Sequence, residues 1–214
     1  MEQIKQQGEQ ARGRLIVFEG IDGAGKTTQI QRLKATLEAQ GRRIFCTAEP
    51  TDGVSGKMLR EALGGKIEKS VCEMAALFTL DRIYHNVDPE QGIRRMLEEG
   101  VDVICDRYYY SSLAYQGSQT DPAWVRAMNL DCPEITRPDL CVFLDLTPEE
   151  SLARIQRGRE TQEIYENYET LKKVRDRFFE VFEELKETDR IVVVNAARPI
   201  EVIADEIARI VADA

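Results

Sequence analysis

Eight residues, Gly20-Ile21-Asp22-Gly23-Ala24-Gly25-Lys26-Thr27, constrain this chain more than any other stretch. They match Gly-x-x-x-x-Gly-Lys-Ser/Thr at every fixed position, between a strand-like Leu15-Ile16-Val17-Phe18 and a helical segment from Thr28 onward. Three glycines let the backbone curl so that its N–H groups face a polyphosphate, and the helix N-terminus adds positive potential. Lys26 is placed to reach the β- and γ-phosphates, and the Thr27 hydroxyl to ligate Mg²⁺. The loop reads as a nucleoside triphosphate site. A GTPase would also need an Asn-Lys-x-Asp for guanine, which the chain lacks, and its one Asp-x-x-Gly match lies inside the loop itself at Asp22–Gly25.

Other short apolar runs repeat the pattern of the first: Arg43–Thr47, Val101–Cys105, Leu140–Leu146 and Ile191–Val194. Most carry apolar residues on both faces, as a parallel sheet covered by helices requires. Between them lie amphipathic stripes: Ile30, Leu33 and Leu37; Val71, Met74, Ala75 and Phe78; Leu171 through Leu185; and Ile200, Ile203, Ile207 and Ile210. The alternation predicts an α/β fold, a five-stranded parallel sheet with helices on both faces, in one domain with a short flap. The chain reads as a polar tail over 1–13 followed by one domain over 14–214. Gly64-Gly65 reads as a turn between helices.

Two strands end in aspartate, at Asp106 and Asp145. Ligands bind beyond the carboxyl ends of such strands, so either could hold magnesium. Asp106 is preferred, because Arg107 beside it suits a place where metal and phosphate meet. Asp145 is assigned to ordering the turn into Thr147-Pro148-Glu149-Glu150, a helix start. Phe78 and Arg82 share a helix face, so ring and guanidinium can address a base together. Taken alone, that pair reads as a core phenylalanine and a surface ion pair.

Of the 214 residues, 43% are hydrophobic and 31% charged, which suits a soluble globular domain. With 29 Lys+Arg against 38 Asp+Glu the net charge is −9, which argues against a nucleic-acid or anionic-membrane partner. No apolar run reaches membrane-spanning length, and the polar N-terminus carries no secretory signal. Five cysteines without paired spacing, three of them in strand runs, point to a reduced, cytoplasmic protein.

Several segments together resemble the thymidylate kinase family of nucleoside monophosphate kinases. Phe18–Gln29 is similar to the family's opening, and Thr47-Ala48-Glu49-Pro50-Thr51 to its second-strand loop. Leu77–Arg82 resembles its LFxAxR stretch, with Leu80 in place of alanine. Asp106–Gly117 is similar to DRYxxSSLAYQG. Pro138-Asp139-Leu140, Arg154–Glu166 and Asn195–Arg198 follow in family order.

The resemblance implies Mg²⁺-dependent transfer of the ATP γ-phosphoryl to dTMP, giving dTDP for dTTP biosynthesis, by a homodimer. Gly20, Asp22, Gly23, Ala24, Gly25, Lys26, Thr27 and Thr28, with Arg154 and Arg198, would bind ATP. Thr27 and Asp106 would hold the metal. For the acceptor, Phe78 would stack on the base and Arg82 would bond its O4 edge, while Arg107 would hold the phosphate. Asp22, Glu49, Ser111, Tyr115, Gln116 and Tyr165 would complete that pocket. Lys26, Asp106, Arg107 and a flap arginine, Arg157 or Arg159, would carry catalysis.

Gly23 leaves the loop without an arginine, which fits the flap-arginine type of the family. Two departures remove positive charge: Ala48 stands where an arginine is usual, and Ile164 where the flap carries one. Arg60 is placed to compensate for the first. Two rival readings follow from these departures. One is a kinase of dUMP, another nucleoside monophosphate or a non-nucleotide; the other is a nucleotide-binding module without catalysis.

Overall fold

The computed structural model describes residues 11–158 and 167–213. Five strands form one all-parallel sheet: β1 (Leu15–Glu19), β2 (Ile44–Ala48), β3 (Asp102–Asp106), β4 (Leu140–Asp145) and β5 (Ile191–Asn195). Their order across the sheet is β2-β3-β1-β4-β5. The helices between them are α1 (Lys26–Ala39), α2 (Val54–Leu63), α3 (Val71–Val87), α4 (Ile93–Glu98), α5 (Tyr109–Tyr115), α6 (Pro122–Leu130), α7 (Pro148–Gly158), α8 (Tyr168–Leu185) and α9 (Ile200–Ala212). The five expected strands are present, each within about a residue or two of its apolar run.

Strand side chains alternate between two cores, as a period of two requires. Leu15, Val17, Val103, Cys105, Cys141 and Phe143 face α5 and α8, where Phe178 and Phe182 pack on Phe143 with ring centroids 4.9 Å away in both cases. Ile16, Phe18, Ile104, Leu140, Val142 and Leu144 face the stripes of α1 and α9. In α9 the buried set is Ile203, Ile207 and Val211, while Ile200 is exposed, so the stripe starts one turn later than its isoleucines suggest.

Helix ends carry their own signals. Ser70 and Glu73 form a reciprocal capping box at the start of α3, which pulls the Glu73 carboxyl down to about 2. At the start of α7 the Thr147 N–H donates to Glu150 Oε2 and the Glu150 N–H to Thr147 Oγ1, a second reciprocal pair. At the amino edge of the sheet, fully buried Asp102 receives Arg14 through its backbone N–H (2.8 Å) and Arg42 through Nη2 (2.6 Å). Beside the boundary drawn at residue 13, Arg12 pairs with Asp139 at 3.0 Å, and the buried Gly13 N–H donates to Leu97 O at 2.8 Å.

The register brings Ala48, Asp106 and Phe18 level across β2, β3 and β1. Everything that follows sits beyond these carboxyl ends, where doubly wound sheets bind ligands.

Candidate active site

Between β1 and α1 the chain makes a tight turn. Gly23 has φ +76, and a Cβ there would lie 2.9 Å from Ser151 O, so neither backbone nor space admits a side chain. Any arginine acting on the phosphates must therefore come from outside the loop. The Ser151 hydroxyl donates to Asp22 O at 2.5 Å and pins the loop to α7. Lys26 lies along the loop, its Nζ donating to Gly20 O at 3.1 Å. Burial and the neighbouring Arg107 cation pull its pKa below that of an ordinary lysine, against Asp106, Asp22 and Glu19.

β3 delivers Asp106 and Arg107. Arg107 sits in the left-handed region at φ +67, a conformation that costs a non-glycine residue about 1–2 kcal/mol. Its guanidinium donates to Asp22 Oδ1 (2.6 Å) and Ser111 Oγ (3.0 Å) and lies over the Tyr115 ring, 5.5 Å from the centroid. Burial works against that charge, but Asp22, Tyr115, Glu19 and Asp106 outweigh it and raise the pKa well above the usual arginine value.

Beneath Arg107 lies Glu19, a fully buried carboxylate. It accepts from the backbone N–H of Tyr108 (2.9 Å) and of Ser111 (3.0 Å) and from the Ser111 hydroxyl (2.7 Å). Burial pushes its pKa up, although Arg107, Ser111, Tyr108 and Lys26 all oppose the shift. Sequence reasoning missed Glu19 as a site residue. The available signal was a charged residue closing an otherwise apolar strand.

On the acceptor side, α3 turns Phe78 and Arg82 toward the same space. Arg82 is 1% exposed, so the surface ion pair that its spacing suggested is a buried one. Nε donates to Glu49 Oε2 at 2.8 Å and Nη2 lies 2.6 Å from the same oxygen in an ion pair, while Nη1 donates to Ser112 Oγ at 3.2 Å and to Asn129 Oδ1. Glu49, read from the sequence as an acceptor contact, has its second oxygen taken by His85 Nδ1 at 3.0 Å. Its carboxylate orients Arg82.

These groups line one cleft of about 620 Å³. Gly23, Gly25, Lys26, Thr27, Thr28 and Arg154 form one end. Glu49, Arg60, Phe78, Arg82, Ser111, Tyr115 and Gln116 form the other, with Asp22, Asp106 and Arg107 between. Gly20 and Ala24 are buried within the loop and do not line the cleft. Arg154 spans from Gly23 O (3.3 Å) to Ala196 O (2.9 Å), joining the phosphate loop to the segment after β5. Arg157 is exposed and does not line the cleft, and Arg198 is bonded to Glu206 and Asn195 O instead. Arg159, Ile164 and Tyr165 lie outside the described residues.

The two strand-end aspartates separate cleanly. Both oxygens of Asp145 accept from Arg175, at 2.7 and 2.9 Å, so it is a structural ion pair and not the organiser of the α7 turn. Asp106 Oδ1 is buried at the cleft without a hydrogen-bond partner among the described residues. An orphaned acid oxygen in the cleft that Thr27 also lines fits magnesium held by few protein ligands and by substrate phosphates. Of the three consecutive tyrosines 108–110, Tyr109 and Tyr110 both donate to Asp189 in the core, at 2.5 and 2.8 Å, and Tyr108 alone of the three lines the cleft.

A phosphate loop that opens onto an aromatic ring and a fixed guanidinium, with a cation at the join, defines a nucleotide-dependent phosphotransferase. The family model described as thymidylate kinase matches residues 18–207. A probable thymidylate kinase of Pyrococcus horikoshii is 39% identical over 209 residues, covering 94% of this chain and 96% of that one. One from Methanocaldococcus jannaschii is 36% identical over 193 residues, covering 90% and 92%. A thymidylate kinase of Bifidobacterium longum subsp. infantis is 40% identical over 158 residues, covering 71% and 66%. The chain belongs to the thymidylate kinase family, and its reaction is the ATP-dependent phosphorylation of dTMP to dTDP.

Proposed function

We propose that the cleft performs this reaction by direct in-line transfer, with ATP at the phosphate-loop end and dTMP at the Phe78–Arg82 end. The observation that supports it is Arg107, which sits between the two ends and is already held by Asp22 and Ser111. An acceptor phosphate bound there lies in reach of the γ-phosphoryl, and alignment in a closed site replaces any covalent intermediate. Lys26 exchanges Gly20 O for the β- and γ-phosphates. Thr27 and Asp106 would hold Mg²⁺, which neutralises phosphate charge when bound.

Phe78 gives the base a ring face, and Arg82 gives its carbonyl edge a donor whose plane is fixed by Glu49, Ser112 and Asn129. Ser111, Tyr115 and Gln116 complete the sugar side. Ala48 carries no charge, but Arg60 lines the same cleft, donating to Pro50 O at 2.9 Å and to Asp52 Oδ1 at 3.1 Å. It supplies the cation that position 48 does not. A flap arginine, with Arg154 already at the loop, meets the charge that spreads over the transferred group.

We also assign a homodimer and a cytoplasmic location. Exposed Leu80, Tyr84 and Val87 on α3, with Val54 and Met58 on α2, offer an apolar face for a second copy. Five free cysteines suit a reducing compartment. Replacing Lys26 with alanine tests the catalytic reading. Acceptor-dependent ADP release should fall by about 10³-fold while the folded spectrum is kept; activity near the wild-type level would refute it.

A further inference from the structure

α3 does more than present Phe78 and Arg82. Residues 78, 82 and 85 follow i, i+4 and i+7 spacing, so the stripe that faces the acceptor continues into His85. His85 is the chain's one histidine and is buried. It does not line the acceptor cleft. It lines a second cleft of about 710 Å³, with Thr47, Ala48, Arg60, Tyr84 and Asp88, on the far side of the loop after β2. The 47–51 loop is therefore the wall between two clefts, and α3 holds it. Asp81 accepts from the Thr51 N–H and hydroxyl, both at 2.7 Å, Arg82 takes one oxygen of Glu49, and His85 takes the other.

A carboxylate can only accept, so His85 Nδ1 carries the hydrogen toward Glu49. Nε2, 2.7 Å from Thr47 Oγ1, is then free to accept from that hydroxyl. This fixes the imidazole at both nitrogens and gives Glu49 two clamps on opposite oxygens. With the His85 clamp gone, the carboxylate is free to turn about its last bond. Arg82 would still meet Glu49, but on a carboxylate free to turn, which leaves Ser112 and Asn129 as the fixed partners that set its plane.

We infer that His85 is a positioning residue for acceptor recognition, acting through Glu49 on Arg82 without touching substrate. The inference rests on Arg82 addressing the acceptor base. It separates the roles of the two imidazole nitrogens, which a merely structural histidine would not do. Asparagine can place an amide N–H near Nδ1 and keep the donor to Glu49, whereas glutamine places its amide near Nε2 and keeps only the Thr47 contact.

The test compares His85→Asn and His85→Gln in steady-state kinetics with ATP, Mg²⁺ and dTMP. His85→Gln should raise the KM for dTMP roughly tenfold, as expected for loss of one hydrogen bond to a charged group, while the KM for ATP stays within twofold. His85→Asn should remain within about twofold of wild type for both substrates. Equal effects of the two variants on the dTMP KM, whether both silent or both damaging, would overturn the inference. So would a matching rise in the KM for ATP. Wild-type turnover of dTMP, measured alongside, reports separately on the reaction itself. Should wild type prefer another monophosphate, the same ratio is read with that one.

Discussion

Arg107 Nη2 donates to Asp22 Oδ1 across 2.6 Å, joining the end of β3 to the phosphate loop. Through this one bond the two substrate ends of the cleft share a cation. The same guanidinium bonds Ser111, whose hydroxyl in turn donates to the buried Glu19. Loop, strand end and α5 are thus held in one network before any substrate arrives.

Replacing Arg107 with lysine keeps the charge but loses the fork that spans Asp22 and Ser111 and the stacking on Tyr115. We expect kcat/KM for dTMP to fall roughly 100-fold, with the KM for ATP affected far less. Steady-state kinetics with each substrate varied in turn will check this. A variant within threefold of wild type would show that charge alone suffices.

The two strand-end aspartates predict opposite phenotypes. Asp106→Asn should raise the Mg²⁺ concentration for half-maximal turnover by about tenfold or more, with a small change in melting temperature. Asp145→Asn, which weakens a bidentate pair with Arg175, should lower the melting temperature and leave the Mg²⁺ dependence where it was. A magnesium titration of ADP release and a thermal melt on both variants separate the two roles.

At the opposite edge of the sheet, Asp102 should contribute to stability in a pH-dependent way. Burial would raise its pKa, but the bonds from Arg42 and Arg14 prevail and hold it below the usual 3.8. A depressed carboxyl binds its proton less readily in the folded state, so its contribution is present above about pH 4 and is lost as pH falls through the lower folded-state value. Asp102→Asn should cost about 2 kcal/mol at pH 7, since it removes the negative charge that the partly exposed Arg14 and Arg42 share. The gap to wild type should narrow as pH is lowered toward 3. Denaturant unfolding at pH 7, 5 and 3 measures it, and a gap that widened in acid would contradict the assignment.

The sheet was legible because its strands are short runs that are apolar on both faces and its helices carry apolar stripes. The phosphate loop was legible because its chemistry is contiguous: strand, glycine turn, Lys26 and helix follow one another. Asp106 and Arg107 could be found from the end of an apolar run. What the sequence did not show is what holds these groups in place. Arg82 meets Glu49 and Asn129, 33 and 47 residues away, and Glu19 meets Ser111 at a separation of 92. No local pattern encodes such pairings; they exist only once β1, β3 and α3 are packed together. The same holds for Asp145, whose strand-end position gave no hint of Arg175.

The account stands most directly on the acceptor. Purified enzyme with ATP and Mg²⁺ should be offered dTMP, dUMP, dCMP, dGMP and UMP in turn, with ADP release followed as an initial rate. We predict the highest kcat/KM for dTMP, with dTDP formed in equal amount to ADP. A clear preference for another base, or ADP release that does not depend on the acceptor, would contradict it.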